Sequence, residues 1–149
     1  DTLCEWVGKK LPARIVSSVD PIKRLAKSGG WQGEKDDKGR LLLVRLKQAF
    51  VEYNDLPLRY LLREYEEYLK SGARVMFVHI REPREIEKFK AAVGENCKTL
   101  LVTRDTGVEW HNDSDGGVSG YDYDYRFAND APLPQAREEF RRLIESILK

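Results

Sequence analysis

Short, nearly continuous apolar runs alternate with amphipathic helical segments along this chain, and this alternation constrains the fold more than any other feature. The segments 74–80 (RVMFVHI) and 97–104 (CKTLLVTR) lack the polar alternation of a strand with one face in water. Such runs are typical of parallel strands that are covered on both faces. Weaker strand patterns lie at 14–18 (RIVSS) and 123–128 (YDYRFA). The alternation predicts one α/β domain with a parallel sheet and right-handed crossovers.

Helical periodicity fills the spaces between these runs. Apolar residues recur every three or four positions, which gives each segment one apolar face. The pattern begins at Leu3 and Trp6, and two further segments begin near Pro57 and Pro83. Proline suits the first turn of a helix. A last apolar face includes Phe140, so we expect a helix at the end of the sequence.

Composition excludes several classes of protein. At 149 residues the chain has the size of one domain, 1–149, and its formal charge of +1 gives no whole-chain argument for binding DNA or RNA. No apolar run approaches the ~20 residues that cross a membrane. Cys4 and Cys97 match no zinc or disulfide pattern. We therefore expect a cytoplasmic protein with neither a nucleic acid nor a membrane as its partner.

Two long polar segments are candidates for loops that cover a site. The first, at about 27–40, is rich in glycine and has Trp31 at its centre, and the second, at about 105–122, combines glycines with acidic residues. Segments of this length without secondary structure are usually functional or disordered. Their composition fits simple surface loops equally well.

The residues that follow each strand pattern are candidates for a binding site, because ligands of open α/β sheets bind at the carboxyl ends of the strands. In chain order these residues are Asp20, Lys23, Arg81, Arg104, Asn129 and Asp130. Cations that meet at one sheet edge suit phosphate oxygens. Taken singly, each arginine is explained equally well as the partner of a local acid, as with Glu82 beside Arg81.

Several motifs resemble the P-loop nucleoside and deoxynucleoside monophosphate kinases. The opening pair DT is similar to the end of their phosphate loop, G-K-D-T, and the segment 17–23 (SSVDPIK) to their (F/V)-A-D-P-(L/I)-K segment. The segment 31–42 (WQGEKDDKGRLL) is similar to their W-x-G-x-K-D-x-x-G-R motif, and 112–115 to a reduced lid signature. Arg81 matches the arginine of a D-V-R segment, although His79 stands where an acid is common.

The resemblance implies a three-layer α/β/α domain of the P-loop type and ATP-dependent phosphoryl transfer to a nucleoside or deoxynucleoside monophosphate, with ATP and Mg²⁺ as cofactors. It implies nucleotide substrates as partners and a monomer or a homodimer. For the cofactors, it implies that Asp1 and Thr2 bind Mg²⁺ and ATP and that Asn129 and Asp130 border the adenine. For the acceptor, it implies binding by Asp20, Lys23, Arg40, Arg59 and Arg81. It implies that Arg81 and Arg104 take part in catalysis.

In that fold a central strand leads into the phosphate loop, and no such pattern precedes Thr2 in this sequence. Each buried backbone group left unpaired costs roughly 1–3 kcal/mol, against a net stability of about 5–15 kcal/mol for a domain. We therefore expect roughly 15 further N-terminal residues, which form a strand and a glycine loop. The alternatives are a P-loop kinase of another small phosphorylated metabolite and a degenerate, non-catalytic nucleotide- or partner-binding module.

Overall fold

A computed structural model describes residues 2–103, 121–129 and 131–148, without the side chain of Thr2. Within these ranges, helices and strands alternate in the manner of an α/β protein. In chain order they are α1 (Thr2–Lys10), β1 (Ala13–Ser17), α2 (Asp20–Ser28), α3 (Asp37–Asn54), α4 (Leu56–Lys70), β2 (Val75–His79), α5 (Pro83–Val93), β3 (Leu100–Thr103), β4 (Tyr125–Ala128) and α6 (Leu133–Leu148).

The strands pair in parallel, but they form two separate sheets of two strands each. β1 pairs with β2 in a register that places Ile15 opposite Phe77. β3 pairs with β4 in a register that places Leu101 opposite Arg126. The prediction of an α/β fold with parallel strands is therefore confirmed. The prediction of a single sheet is not met by the part of the chain that the structure describes.

Helix boundaries follow local backbone rules. The carboxylate of Asp36 caps α3 by accepting a hydrogen bond from the backbone N–H of Gly39 at 2.8 Å. α4 and α5 each have a proline in the first turn. Between α3 and α4 the chain turns at Asp55, whose φ of 53° lies in the left-handed region. The ammonium of Lys88 lies 3.3 Å from the Asp55 carboxylate, and this ion pair stabilises the turn.

One apolar cluster packs α1 and α6 against the strands. Val7 of α1 and Phe140 of α6 are almost completely buried. The ring of Phe140 lies 6.3 Å from that of Phe77 in β2 and 5.3 Å from that of Phe127 in β4. A single side chain of α6 therefore contacts both sheets and holds them beneath the same pair of helices.

A second apolar cluster joins β1 and β2 to α4 and α5. Leu61 and Phe89 are its buried helical members, and Met76 and Val78 of β2 pack against them. Phe77, which lies between these two residues in β2, packs into the first cluster instead. Helices thus cover β2 on both faces, as its nearly continuous apolar sequence predicts.

The structure corrects the predicted loop at 27–40. Residues 27 and 28 end α2, and residues 37–40 begin α3, so only 29–36 connect the two helices. The predicted bounds were too wide because glycine and charge content dominated the pattern, while the start of α3 depends on the Asp36 cap.

The predicted strands 97–104 and 123–128 both start too early. Just before β3 and β4, the backbone N–H of Thr99 donates to the carboxylate of Asp124 at 2.9 Å, and the backbone N–H of Asp124 donates to the Thr99 hydroxyl at 2.8 Å. These bonds to side chains occupy the positions that ladder bonds would take. The strands therefore begin only at Leu100 and Tyr125.

Candidate functional site

A slot with a volume of about 1050 Å³ separates the two sheets. β2 lines one wall and β3 lines the other. α1 and α6 contribute Cys4 and Phe140 on one side, and α5 contributes Phe89 on the other. Burial raises the pKa of the Cys4 thiol to about 11, so this thiol is neutral at pH 7. The middle of the slot is therefore an apolar space between two strands and two helical layers.

The carboxyl end of the slot is polar, and we call it the mouth. Side chains from four elements and from the turns that follow the strands lie here, namely Ser17, Ser18, Lys23, Lys47, His79 and Arg81. The structure thus brings two predicted site residues, Lys23 and Arg81, to the lining of one cavity. Three cations at the carboxyl end of parallel strands form an arrangement that suits a phosphorylated ligand.

Lys47 is the residue of the mouth that sequence reasoning missed. It extends from α3, and its ammonium lies 3.3 Å from the carboxylate of Glu82 and 3.0 Å from that of Glu85. Burial raises the pKa of Glu85, and the charge of Lys47 opposes this rise. No local motif marks Lys47, because its position at the mouth depends on ion pairs with residues distant in the sequence at the start of α5.

His79 ends β2 and is half-buried at the mouth. Its Nε2 atom is buried and has no hydrogen-bond partner among the described residues. Burial is the main cause that lowers the pKa of His79, so the imidazole is neutral at pH 7. It is therefore a polar but uncharged group beside the cations of the mouth.

Asp20 holds the turn between β1 and α2. Its Oδ2 atom accepts a hydrogen bond from the backbone N–H of Ser17 at 2.8 Å and another from the Tyr60 hydroxyl at 3.1 Å. Burial, followed by the charge of Asp20, raises the pKa of Tyr60 to about 12. The guanidinium of Arg24 lies 5.3 Å from the centre of the Tyr60 ring. Asp20 thus fixes the position from which α2 presents Lys23 to the mouth.

The segment between α2 and α3 is exposed and folds back on the first turn of α3. The indole N–H of Trp31 donates to the carbonyl of Glu34 at 3.1 Å. Gly39 lies so close that a Cβ there would be 2.4 Å from that carbonyl and 2.9 Å from the Trp31 nitrogen. Arg40 follows as an exposed residue of the first turn of α3.

The other predicted site residues are spread more widely. Arg59 is exposed on α4, and neither it nor Arg40 lines the slot. Asn129 follows β4, and its backbone N–H donates to the carbonyl of Thr103 at 2.6 Å. The predicted positions Asp1, Arg104 and Asp130, the side chain of Thr2 and most of the predicted cover at 105–122 lie outside the described residues.

Across the described ranges, no group of three or more His, Cys, Asp or Glu side chains is placed to hold a metal ion. No helix in these ranges is long and apolar enough to cross a membrane. Comparison with known proteins finds no matching family model and no matching curated protein.

Proposed function

We propose that this chain is part of an ATP-dependent kinase that phosphorylates a nucleoside or deoxynucleoside monophosphate, on a three-layer α/β/α fold of the P-loop type. The observation that carries the proposal is the mouth of the slot. Lys23, Lys47 and Arg81 come from separate parts of the chain and line one opening at the carboxyl end of parallel strands. Because phosphoryl transfer depends on positioning and on charge neutralisation, such a set of cations is suited to it.

Each cation of the mouth has a distinct part in this proposal. Arg81 binds two oxygens of one phosphoryl group at once, since a guanidinium donates in a fork. Lys23 adds a mobile point charge from the first turn of α2. The ion pairs of Lys47 with Glu82 and Glu85 hold its ammonium in one position while the two carboxylates offset its charge, so in this proposal Lys47 mainly positions the wall of the mouth. His79 stays neutral and offers a hydrogen bond without further charge.

The acceptor side of the site is the region around the turn at 31–39. Arg40 and Arg59 bind the acceptor monophosphate in this proposal, and Asp20 keeps α2 in position through Ser17 and Tyr60. The close approach of Gly39 to the Glu34 carbonyl fixes where this exposed turn meets α3, which suits a surface that must recognise one small molecule. In this proposal, Arg104 and the segment 105–122 form a cover that excludes water from the site.

ATP and Mg²⁺ are the cofactors of the proposed reaction. Asp1 and Thr2 would bear on Mg²⁺, and Asn129 and Asp130 would border the adenine. Among these four residues the structure describes a side chain only for Asn129. When bound, Mg²⁺ neutralises charge on the phosphates. Since the described residues form no metal-binding group, we assign no step to this ion.

A coupled assay for ADP production tests the proposal with the full-length gene product, ATP–Mg²⁺ and a panel of nucleoside monophosphates. We expect turnover with at least one acceptor. Arg81→Ala should lower kcat/KM by about 10- to 150-fold, which corresponds to a charged hydrogen bond of roughly 1.5–3 kcal/mol. Lys70→Ala is the matched control, since Lys70 is 75% exposed at the end of α4 and should leave kcat/KM unchanged.

The assay also separates the alternatives. Turnover confined to other phosphorylated metabolites would identify a P-loop kinase with a different acceptor. Nucleotide binding without turnover would favour the non-catalytic module. Absence of ATP binding by calorimetry, with equal behaviour of the Arg81→Ala and Lys70→Ala variants, would refute the kinase proposal.

A further inference from the structure

Helix α3 has large apolar side chains that the rest of the described chain does not bury. Eight of its 18 residues are Leu, Val, Phe or Tyr, yet its only buried residue is Gly39. By contrast, the 16 residues of α6 include Phe140 and Ile144 as buried side chains. Because burial of apolar surface is the main gain of folding, the composition of α3 indicates a contact with a partner beyond the described chain.

One side of α3 packs on α2 and α4. The half-buried residues Leu43, Phe50 and Asn54 recur at helical spacing and mark this side. Leu41, Val44 and Tyr53 are instead 47%, 52% and 82% exposed. The opposite side, which we call the outer face, is exposed throughout and consists of Leu41, Val44, Arg45, Gln48, Ala49, Glu52 and Tyr53. Apolar side chains exposed together along one face of a helix mark an interaction surface.

The outer face also carries two opposite charges that have no partner on their own helix. Arg45 and Glu52 lie two turns apart, ~10 Å along the axis, which is beyond the spacing of three or four residues at which helix side chains meet. The residues at that spacing from Arg45 are Leu, Leu, Gln and Ala, and those from Glu52 are Gln, Ala, Asp and Leu. Neither side chain forms an ion pair with another described residue.

A second copy of α3 fits the outer face when the two helices run antiparallel. With a two-fold axis at the middle of the face, Arg45 of each copy lies opposite Glu52 of the other, so two ion pairs form at once. The same register places Val44 of each copy opposite Tyr53 of the other. A parallel arrangement would place Arg45 opposite Arg45 and Glu52 opposite Glu52, which is unfavourable. The charges and the apolar residues therefore agree on one antiparallel register.

We propose that the outer face of α3 is the interface of a symmetric dimer, in which a second copy of this chain packs its own α3 antiparallel against it. Self-complementary charges are what such an interface requires, because the same surface serves on both copies. The proposal goes beyond the kinase activity and does not depend on it, since no residue of the outer face lines the slot or its mouth.

Sedimentation equilibrium of the full-length gene product tests this proposal by charge reversal. The four proteins are the parent, Arg45→Glu, Glu52→Arg and the double variant. We expect each single variant to raise the dimer dissociation constant at least ~tenfold, because like charges then face each other across the axis. The double variant exchanges the two charges and should return the constant to near that of the parent. An equimolar mixture of the two single variants should also dimerise like the parent, since each supplies the charge that the other lacks.

A second pair of variants tests the apolar part of the interface. Val44→Asp places a charge opposite Tyr53 and should also raise the dissociation constant at least ~tenfold. Leu133→Asp is the matched control, because Leu133 is 45% exposed and begins a different helix, α6. This variant should leave the dissociation constant unchanged.

Three results would overturn the proposal. A parent protein that stays monomeric at every concentration would show that a second copy does not cover the outer face. Equal dissociation constants for the parent and the single variants would place the interface elsewhere. Weaker dimerisation that neither the double variant nor the mixture restores would show that Arg45 and Glu52 do not face each other.

Discussion

Replacing Gly39 by alanine should destabilise the protein, although alanine normally favours a helix. Gly39 lies in the first turn of α3. Its added Cβ would lie 2.4 Å from the carbonyl oxygen of Glu34, 2.9 Å from the Trp31 nitrogen and 3.0 Å from the Asp36 carboxylate. The nearest of these atoms belongs to the backbone, so the turn at 31–36 must move as a unit to relieve the overlap.

The expected loss follows from the bonds that this movement breaks. The hydrogen bond from Trp31 to Glu34 contributes ~1 kcal/mol, and the cap that Asp36 places on α3 contributes about 1 kcal/mol more. Alanine returns roughly 0.5–1 kcal/mol through its helix propensity. We therefore expect Gly39→Ala to lower the free energy of unfolding by about 1–1.5 kcal/mol.

Urea unfolding of Gly39→Ala beside Gly8→Ala measures this difference with a matched control. A Cβ at Gly8, in α1, would meet its nearest side-chain atoms at 3.9 Å, which is an ordinary contact. Gly8→Ala should therefore raise the unfolding midpoint, by roughly 0.3 M, while Gly39→Ala should lower it by roughly 0.5–1 M. A Gly39→Ala variant as stable as Gly8→Ala would refute the reasoning.

Two further predictions concern pH. Tyr60→Phe removes the hydrogen bond to Asp20 and should lose ~1 kcal/mol of stability at neutral pH. Because the pKa of Tyr60 is raised to about 12, the stability linked to its protonated form is present below pH 10 and is lost as the pH rises toward 12. Urea unfolding at a series of alkaline pH values should show this loss in the parent, and a parallel loss in Tyr60→Phe would contradict the assignment. The second prediction concerns acid pH and the variant Asp124→Asn. The hydrogen bond from the backbone N–H of Thr99 is the main cause that lowers the pKa of Asp124. The stability linked to its carboxylate is present above the ordinary aspartate pKa and is lost as the pH falls below it. Thermal unfolding should therefore show that Asp124→Asn is less stable than the parent at neutral pH and that its unfolding temperature depends less on pH below 4. An unfolding temperature that falls equally in both proteins below pH 4 would argue against this role.

The parallel strands were predictable because their sequence is dominated by one physical requirement. β2 must be apolar at consecutive positions, since Phe77 packs into one cluster while Met76 and Val78 pack into the other. Helices α4 and α5 were predictable for a similar reason, because a proline in the first turn and an apolar face agree in each. Local sequence determines these features almost completely.

The elements that escaped prediction depend on distant packing or on single side chains. α3 buries little beyond Gly39, so its sequence lacks a strong apolar face, and its start rests on the Asp36 cap. Lys47 reaches the mouth because α3 packs on α2 and α4, which brings the ammonium within ion-pair distance of Glu82 and Glu85. Spacing along the chain cannot reveal the position of Lys47, because its partners Glu82 and Glu85 lie more than 30 positions away from it.

The slot and the mouth share one structural element, and this connects stability with binding. β2 directs Met76 and Val78 toward the slot and ends at His79, which lies in the mouth shortly before Arg81. Packing that restrains β2 therefore restrains the same backbone that positions Arg81. Phe77→Ala removes the β2 ring that lies 6.3 Å from that of Phe140, so an anion such as pyrophosphate should bind this variant less tightly than the parent. Since a ligand that binds only the folded state stabilises it by mass action, the same anion should also raise the unfolding midpoint of the variant less than that of the parent. Equal anion affinity in the two proteins, despite a lower unfolding midpoint of Phe77→Ala, would mean that the mouth forms independently of this packing, and the two features would then be energetically independent.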